Sequence, residues 1–541
     1  MGAHLTRRNL LRAGLGVAAG ASLAACGDGG PAVPLADDAQ VRLPDYVPYK
    51  SVKADFPGTE AGVLNGYLHY PDPPVRAFPD GPPAKGPGIN FMTLIFNPVP
   101  PPVSRNTLWR ELNSSLGTDL DFEIVPVADY PTKFSLTIAG GDLPDGMLFL
   151  PTAPQRPATL NALFEDLSPH LSGSAVRDYP YLANIPTKSW RDTICAGGIY
   201  GLPMPRLNTG SVMFYRADIF KEKSLDPNPA SFQEFKKLCV ELSDPRRSKY
   251  ACGDPLTTFY FVMEMLHAPK DWRETGGRFT WWLEESERVK QGLDAMRQLV
   301  RARVIHPDGF TVKGKYKDWF GNGQIAINYD GATAWNDNLR AYGAGNPKFD
   351  IDGMIAPGFD GGQGVHWAGD SAYGMLALKK APRERIEQLL RALNALAAPF
   401  GTDGYLLRKY GVAGHDFGFK GTDPILNTVG TTENTLPTMF ATDAPQVLYF
   451  PEDPSVVPRQ HAFQERAVDI LVSNPAEGLY SETDSTLGGT AKNLILEGTL
   501  KGVMQGRTTL KEWDAAIRDW RRSVGDKTRG EFETYWESLH R

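Results

Sequence analysis

Cysteine is scarce, with four in 541 residues; Cys26 lies near the start, and Cys195, Cys239 and Cys252 remain for the body. These three lack metal-ligand spacing and allow at most one disulfide, which excludes a zinc ribbon, an iron–sulfur centre and a disulfide-built scaffold. Buried thiols fit them best, with a Cys239–Cys252 bridge as the alternative. A basic excess is missing too: 57 Lys and Arg face 63 Asp and Glu, a formal charge of −6. That excludes a nucleic-acid binder working through a broad basic face. No apolar run reaches the ~20 residues a membrane-spanning helix needs. Catalytic signatures are absent as well: there is no His-Glu-x-x-His, no phosphate-cradling glycine loop with Lys-Ser/Thr, no Cys-x-x-Cys and no Gly-x-Ser-x-Gly elbow. Gly369-Asp370-Ser371 has the letters of an esterase nucleophile block, but no Asp-x-x-His follows it, so it reads as a chance occurrence.

What remains is a globular composition, 41% hydrophobic and 22% charged, with length enough for two or three domains. Aromatic residues reach 11%, more than a minimal core needs. The N-terminus reads as an address. Arg7 and Arg8 precede the small, apolar run Ala13 to Ala25, which ends in Leu23-Ala24-Ala25-Cys26. This resembles a bacterial lipoprotein signal of twin-arginine type, and the resemblance implies cleavage after residue 25 and lipidation of Cys26. Removing Arg7, Arg8 and Arg12 from a formal charge of −6 leaves −9 for the mature chain.

Sixteen of the 44 prolines fall between Pro31 and Pro102. Residues 26–86 are therefore expected to form an extended tether, with Tyr46, Tyr49, Phe56, Tyr67, Tyr70 and Phe78 available to pack on the body. Beyond it, apolar runs alternate with amphipathic helical patterns, which predicts an α/β architecture. Strands are expected at Ile89–Phe96, Asp121–Val127 and Gly146–Leu150. Helices are expected at Asn106–Leu116, Tyr130–Ala139, Ser231–Leu242, Ser286–Arg303, Arg383–Ala397, His461–Val472, Thr490–Gln505 and Leu510–Ser523.

Several segments then resemble, in order, extracellular solute-binding proteins that serve carbohydrate ABC importers. They include Tyr130-Pro131-Thr132-Lys133-Phe134 through Asp142-Leu143-Pro144-Asp145, then Glu165-Asp166-Leu167-Ser168-Pro169, Gly198-Ile199-Tyr200-Gly201-Leu202-Pro203 and Phe214-Tyr215-Arg216-Ala217-Asp218. Further on come the long helical stretch ending in Val304-Ile305-His306-Pro307, Gly321-Asn322-Gly323-Gln324 before Asp330-Gly331, and Tyr405 to His415, which is similar to a large lipoprotein branch of that family. Met504-Gln505-Gly506-Arg507-Thr508-Thr509 completes the set. The resemblance implies a two-lobed periplasmic-binding-protein-like fold of type II, with discontinuous lobes, hinge strands and a ligand cleft. One lobe is expected from residues 87–205 with 360–440, the other from 206–359 with 441–541.

In such a cleft, aromatic faces cover the apolar side of a sugar ring while carboxylates, amides and arginines bond its hydroxyls. Three loops combine those residue types. Asp330 and Trp335 sit in the first, where Trp335 is either a stacking face or a core anchor under a turn. Trp367, Asp370 and Tyr373 sit in the second, beside His366, which alone reads as a core or surface residue. Arg206 and Asn208 sit in the third. Asn97, after the first strand, and Glu482 or Asp484 are weaker candidates. Trp281 and Trp282 read as packing residues.

The expected protein is a lipid-anchored receptor on the outer face of the bacterial cytoplasmic membrane. It captures a carbohydrate, an oligosaccharide, and delivers it to ABC permease subunits. No reaction, cofactor, metal or nucleic acid is expected, and the chain is expected to be a monomer. The alternatives are a lipid-anchored glycan hydrolase, since a carboxylate pair is a spatial property, and a receptor for a peptide or an acidic oligosaccharide.

Overall fold

The computed structural model describes residues 35–343 and 345–540. Arg7, Arg8 and Cys26 lie outside the described residues. Two separate sheets organise the chain. The first has the strand order Leu120–Pro126, Ile89–Ile95, Gly146–Phe149, Ala372–Leu378, Leu202–Pro205. Its first three strands are parallel and the last two join antiparallel. Helices Thr107–Leu116 and Tyr130–Gly140 make the crossovers between the parallel strands. All residues of Ile89–Ile95 but Asn90 are buried, as a parallel strand covered on both faces requires. Asn106 starts the first helix by accepting the Trp109 N–H at 2.8 Å, and Gly117 ends it in the left-handed conformation at φ 74°.

The second sheet has the order Ile351–Met354, Ser211–Arg216, Ile325–Gly331, Tyr250–Cys252. Helices Phe232–Leu242, Pro255–Met265 and Ser286–Arg301 bury Phe235, Phe259, Leu293 and Met296 in a core that also receives Trp513, Trp520 and Phe532 from the C-terminal helices. The first core draws on residues before Pro205 and then on Met375 to Ala441. The chain leaves the first sheet through Arg206–Gly210. It returns through Ala368–Ser371, after His366–Trp367 has paired in parallel with Leu471–Val472. The return passage thus lies later than the expected boundary at residue 360.

The two passages touch. The Gly369 N–H donates to Asn208 O at 2.8 Å. A Cβ on Gly369 would stand 2.0 Å from Leu207 O, and one on Gly210 would stand 2.8 Å from Gly369 N. Glycine is required at both positions because backbone meets backbone there.

The proline-rich segment differs from a free tether over residues 41–86. It carries little regular structure, yet Tyr67 stacks on Phe400 at 4.3 Å and the buried Tyr70 donates its hydroxyl to Thr402 O at 2.6 Å. Gly66 bridges to Leu448, and Pro57 O accepts the His461 ring N–H at 3.0 Å. Its tyrosines are the reason, since burying those rings outweighs ordering a proline-stiffened chain. Asp38, at its start, accepts the Gly197 N–H at 2.5 Å and the Tyr535 hydroxyl.

The helix expected at His461–Val472 instead runs Val456–Val468, with Pro458 in its first turn, and Leu471–Val472 is a strand. The stretch Thr490–Gln505 widens to π-helical geometry at Leu494–Leu500 between two short α-helical pieces. Cys195, Cys239 and Cys252 are buried free thiols, and burial raises the Cys239 thiol well above its usual pKa. Among the described residues no helix is long and apolar enough to cross a membrane.

Candidate ligand cleft

A cavity of about 820 Å³ opens between the two sheets, walled by both passages. Ala372 and Tyr373 come from the first sheet, Arg206 from the passage that leaves it, and Arg156 and Asp192 from short helices beside it. The second side supplies Tyr260, Lys270, Tyr329 and the Trp281-Trp282 pair. Tyr480, Asp484 and Lys492 close it from the C-terminal region. A second hollow of about 280 Å³ shares Leu207, Ala332, Thr333 and Gln446 with the first, so the two adjoin along the first passage.

Aromatic rings form one wall. The half-buried Trp367 lies 5.8 Å from Tyr260 and 5.5 Å from Trp282, and Tyr260 lies 6.5 Å from Tyr329. Trp367 is fixed on two sides: its indole N–H donates to Ala268 O at 2.9 Å, and its backbone N–H donates to Glu264 at 2.8 Å. Tyr329 also donates its hydroxyl to Glu264, at 3.3 Å. Burial raises that carboxyl to about 8, against the opposing pull of these donors. His366, held near 4 by burial, is a neutral strut whose Nε2–H donates to Thr209 O at 2.6 Å across the passages.

Charged groups line the same cavity. Lys270 Nζ meets Asp370 at 2.5 Å, and Lys492 Nζ meets Asp484 at 3.0 Å. The Arg206 guanidinium lies 4.5 Å from the Tyr373 ring centroid. Asp192 is raised to about 7 by burial and by Glu477, which outweigh Arg156 and the Ser371 hydroxyl.

Four of the expected residues, Arg206, Trp367, Asp370 and Tyr373, stand on this cavity together. Four others do not. Asp330 is engaged by Lys317 at 3.3 Å while its neighbours Tyr329 and Gly331 face the cavity. Trp335 is 3% exposed, edge-on to Phe214 at 5.5 Å and to Phe463 at 6.0 Å, so it anchors a core and borders only the second hollow. Asn208 binds the N-terminal segment by donating to Ala61 O at 3.3 Å. Asn97 is exposed beyond the first strand and absent from the cavity wall. Of the weaker pair, Asp484 lines the cavity, whereas Glu482 accepts the Gln155 N–H at 3.0 Å.

Trp281 and Trp282 pack as expected, Trp281 at 4.1 Å from Trp520, and they also line the cavity. Tyr260, Lys270, Arg156 and Asp192 carried no local signal, because each sits in an ordinary helix or loop that becomes a wall only through the fold. Among the described residues one cluster has metal-ligand geometry: His415, Asp416 and Glu433, with ligand atoms within 4.8 Å of one another. It lies off the cavity wall. Glu433 is already used there, accepting the Thr107 and Leu108 N–H groups at 2.6 and 3.1 Å to cap a helix.

Comparison with known proteins agrees with this fold. The family model described as bacterial extracellular solute-binding protein matches residues 111–398. The polygalacturonan/rhamnogalacturonan-binding protein YtcQ of Bacillus subtilis is 25% identical over 464 residues, covering 82% of this chain and 90% of that one. Lipoprotein LipO of the same organism is 22% identical over 484 residues, covering 83% and 92%. Among solved structures, the alginate-binding protein AlgQ2 superposes with a TM-score of 0.60 at 15% identity, covering 84% of this chain and 98% of that one.

Proposed function

Because this chain belongs to the bacterial extracellular solute-binding protein family, we propose that it captures an oligosaccharide between its lobes and hands it to an ABC permease without altering it. The observation that carries this reading is that the rings of Tyr260, Trp282, Tyr329 and Trp367 and the pairs Lys270–Asp370 and Lys492–Asp484 line one cavity of about 820 Å³. Flat aromatic faces match the C–H side of a pyranose ring, and the polar groups beside them match its hydroxyls. The second hollow supports a ligand longer than one residue. The binding of polygalacturonan and rhamnogalacturonan named for the Bacillus relative points to the same ligand class.

The mechanism follows from the two passages. Ligand that touches both walls stabilises the form in which they are close, and a permease that recognises that form receives loaded protein selectively. In this reading residues 1–25 are removed on export, Cys26 carries the lipid, and the body works as a monomer at the outer face of the cytoplasmic membrane.

Thermal-shift and calorimetric titration of the protein against mono- and oligosaccharides test the proposal. A true ligand at 100 times its Kd adds about 2.7 kcal/mol of stability. Oligosaccharides should raise Tm and be recovered intact. Release of reducing ends would establish the hydrolase instead, and a response to peptides alone would remove the carbohydrate reading.

A further inference from the structure

The four cationic side chains on the cavity wall are of two kinds. Lys270 and Lys492 are neutralised by Asp370 and Asp484. Arg156 and Arg206 are not: among the described residues, neither guanidinium makes a hydrogen bond or an ion pair. Arg156 is only 8% exposed, and its Nε is buried without an acceptor. Aromatic rings orient both groups, Tyr480 at 5.4 Å from Arg156 and Tyr373 at 4.5 Å from Arg206, but a ring face does not neutralise a charge.

A guanidinium has five donors and keeps its charge at any physiological pH, so withdrawing it from water without an acceptor is unfavourable. Arg156 is such a group, and the half-buried Arg206 is a second guanidinium without an acceptor on the same cavity; together they mark a place where the missing acceptor comes with the ligand. Asp192 does not fill the role. Its carboxylate accepts the Ser371 hydroxyl at 3.3 Å and reaches Arg156 only through space. Ser371 ties Asp192 to the Arg206 segment, because its carbonyl also accepts the Arg206 N–H at 3.1 Å.

We infer that Arg156 and Arg206 form a carboxylate subsite and that the bound oligosaccharide is an acidic one, a chain of uronic acids; this rests on the carbohydrate reading above. A planar carboxylate accepts two parallel N–H bonds from a guanidinium fork, which a sugar hydroxyl cannot do. The aromatic wall serves the ring faces, and the arginines read the charge.

Calorimetry of the full chain with oligogalacturonate, and with the carboxyl-reduced neutral oligomer of the same length, tests this at low and high salt. The acidic chain should bind at least ~10-fold more tightly, and that preference should shrink as salt rises. Arg206→Gln and Arg156→Gln should each remove most of the preference. The Tm of each ligand-free variant reports its folding, and Arg206→Gln, at the less buried position, decides alone if Arg156→Gln does not fold. Equal affinity for the two oligomers, or variants that keep the preference, would overturn the subsite and leave the carbohydrate reading standing. Binding of neither oligomer, nor of any other sugar, would overturn both.

Discussion

Glu264 Oε1 accepts the backbone N–H of Trp367 at 2.8 Å and the Tyr329 hydroxyl at 3.3 Å, so one buried carboxyl positions two rings of the cavity wall. Glu264 belongs to helix Pro255–Met265, Trp367 to the short strand that leads into the return passage and Tyr329 to an inner strand of the second sheet.

This group makes stability depend on pH. Burial lifts Glu264 from 4.5 to about 8, so the folded protein holds a proton that the unfolded chain releases. Its contribution is complete below about 4.5 and declines as pH rises towards about 8, by up to ~1.4 kcal/mol per pH unit. Asp192, lifted to about 7, acts with the same sign. His366, lowered from 6.5 to about 4, opposes both below about 6.5, so Tm should fall between pH about 6.5 and about 8, and Glu264→Gln, which keeps the acceptor for Trp367 but cannot ionise, should flatten that fall. An unchanged slope in the variant would assign the dependence to other groups.

The two tryptophans of the cleft loops should separate. Trp335→Ala empties a core site between Phe214 and Phe463 and should cost about 3–5 kcal/mol of folding stability. Trp367→Ala, from a half-buried site, should cost less stability and at least ~10-fold in ligand affinity. Urea unfolding and calorimetry on both variants give the comparison; equal loss of stability would make Trp367 a core residue too.

Gly369→Ala places a methyl against the Leu207 carbonyl, where 2.0 Å is available. The passages must part, and an overpacking penalty of about 1–3 kcal/mol is expected. Ligand affinity should fall with Tm, because the same passages wall the cavity. An alanine variant with wild-type Tm would show that the passages have slack.

Asp370→Asn breaks the pair with Lys270 where Asp370 is 66% exposed, and stability should change by less than ~1 kcal/mol. Ligand affinity should change by more than stability does, since both groups face the cavity. Parallel thermal and binding measurements decide; a large drop in Tm with unchanged affinity would make the pair structural.

The strand-helix-strand order of the first sheet was legible because each unit is continuous in sequence: Ile89–Ile95, Thr107–Leu116 and Leu120–Pro126 lie within a residue of their expected limits. Local signals failed where distant segments decide. That Tyr67 and Tyr70 of the proline-rich stretch pack on the body was legible, but nothing nearby announces Phe400 and Thr402 as their partners. The cleft divided along the same line. Trp367 and Tyr373 stand on a passage that the motif order marks. Tyr260 lies inside an apolar helix and Arg156 at the start of a plain one, and only the fold turns them inward.

One carboxylate remains to be followed to its effect. Asp38 grips the Cys195–Gly198 hairpin, whose Cys195 belongs to the first core, and through Tyr535 the last helix, whose Phe532 belongs to the second. The two halves are therefore latched at a point well removed in sequence from the hinge passages. Any movement that parts the two halves has either to turn about Asp38 or to break its bond with Tyr535.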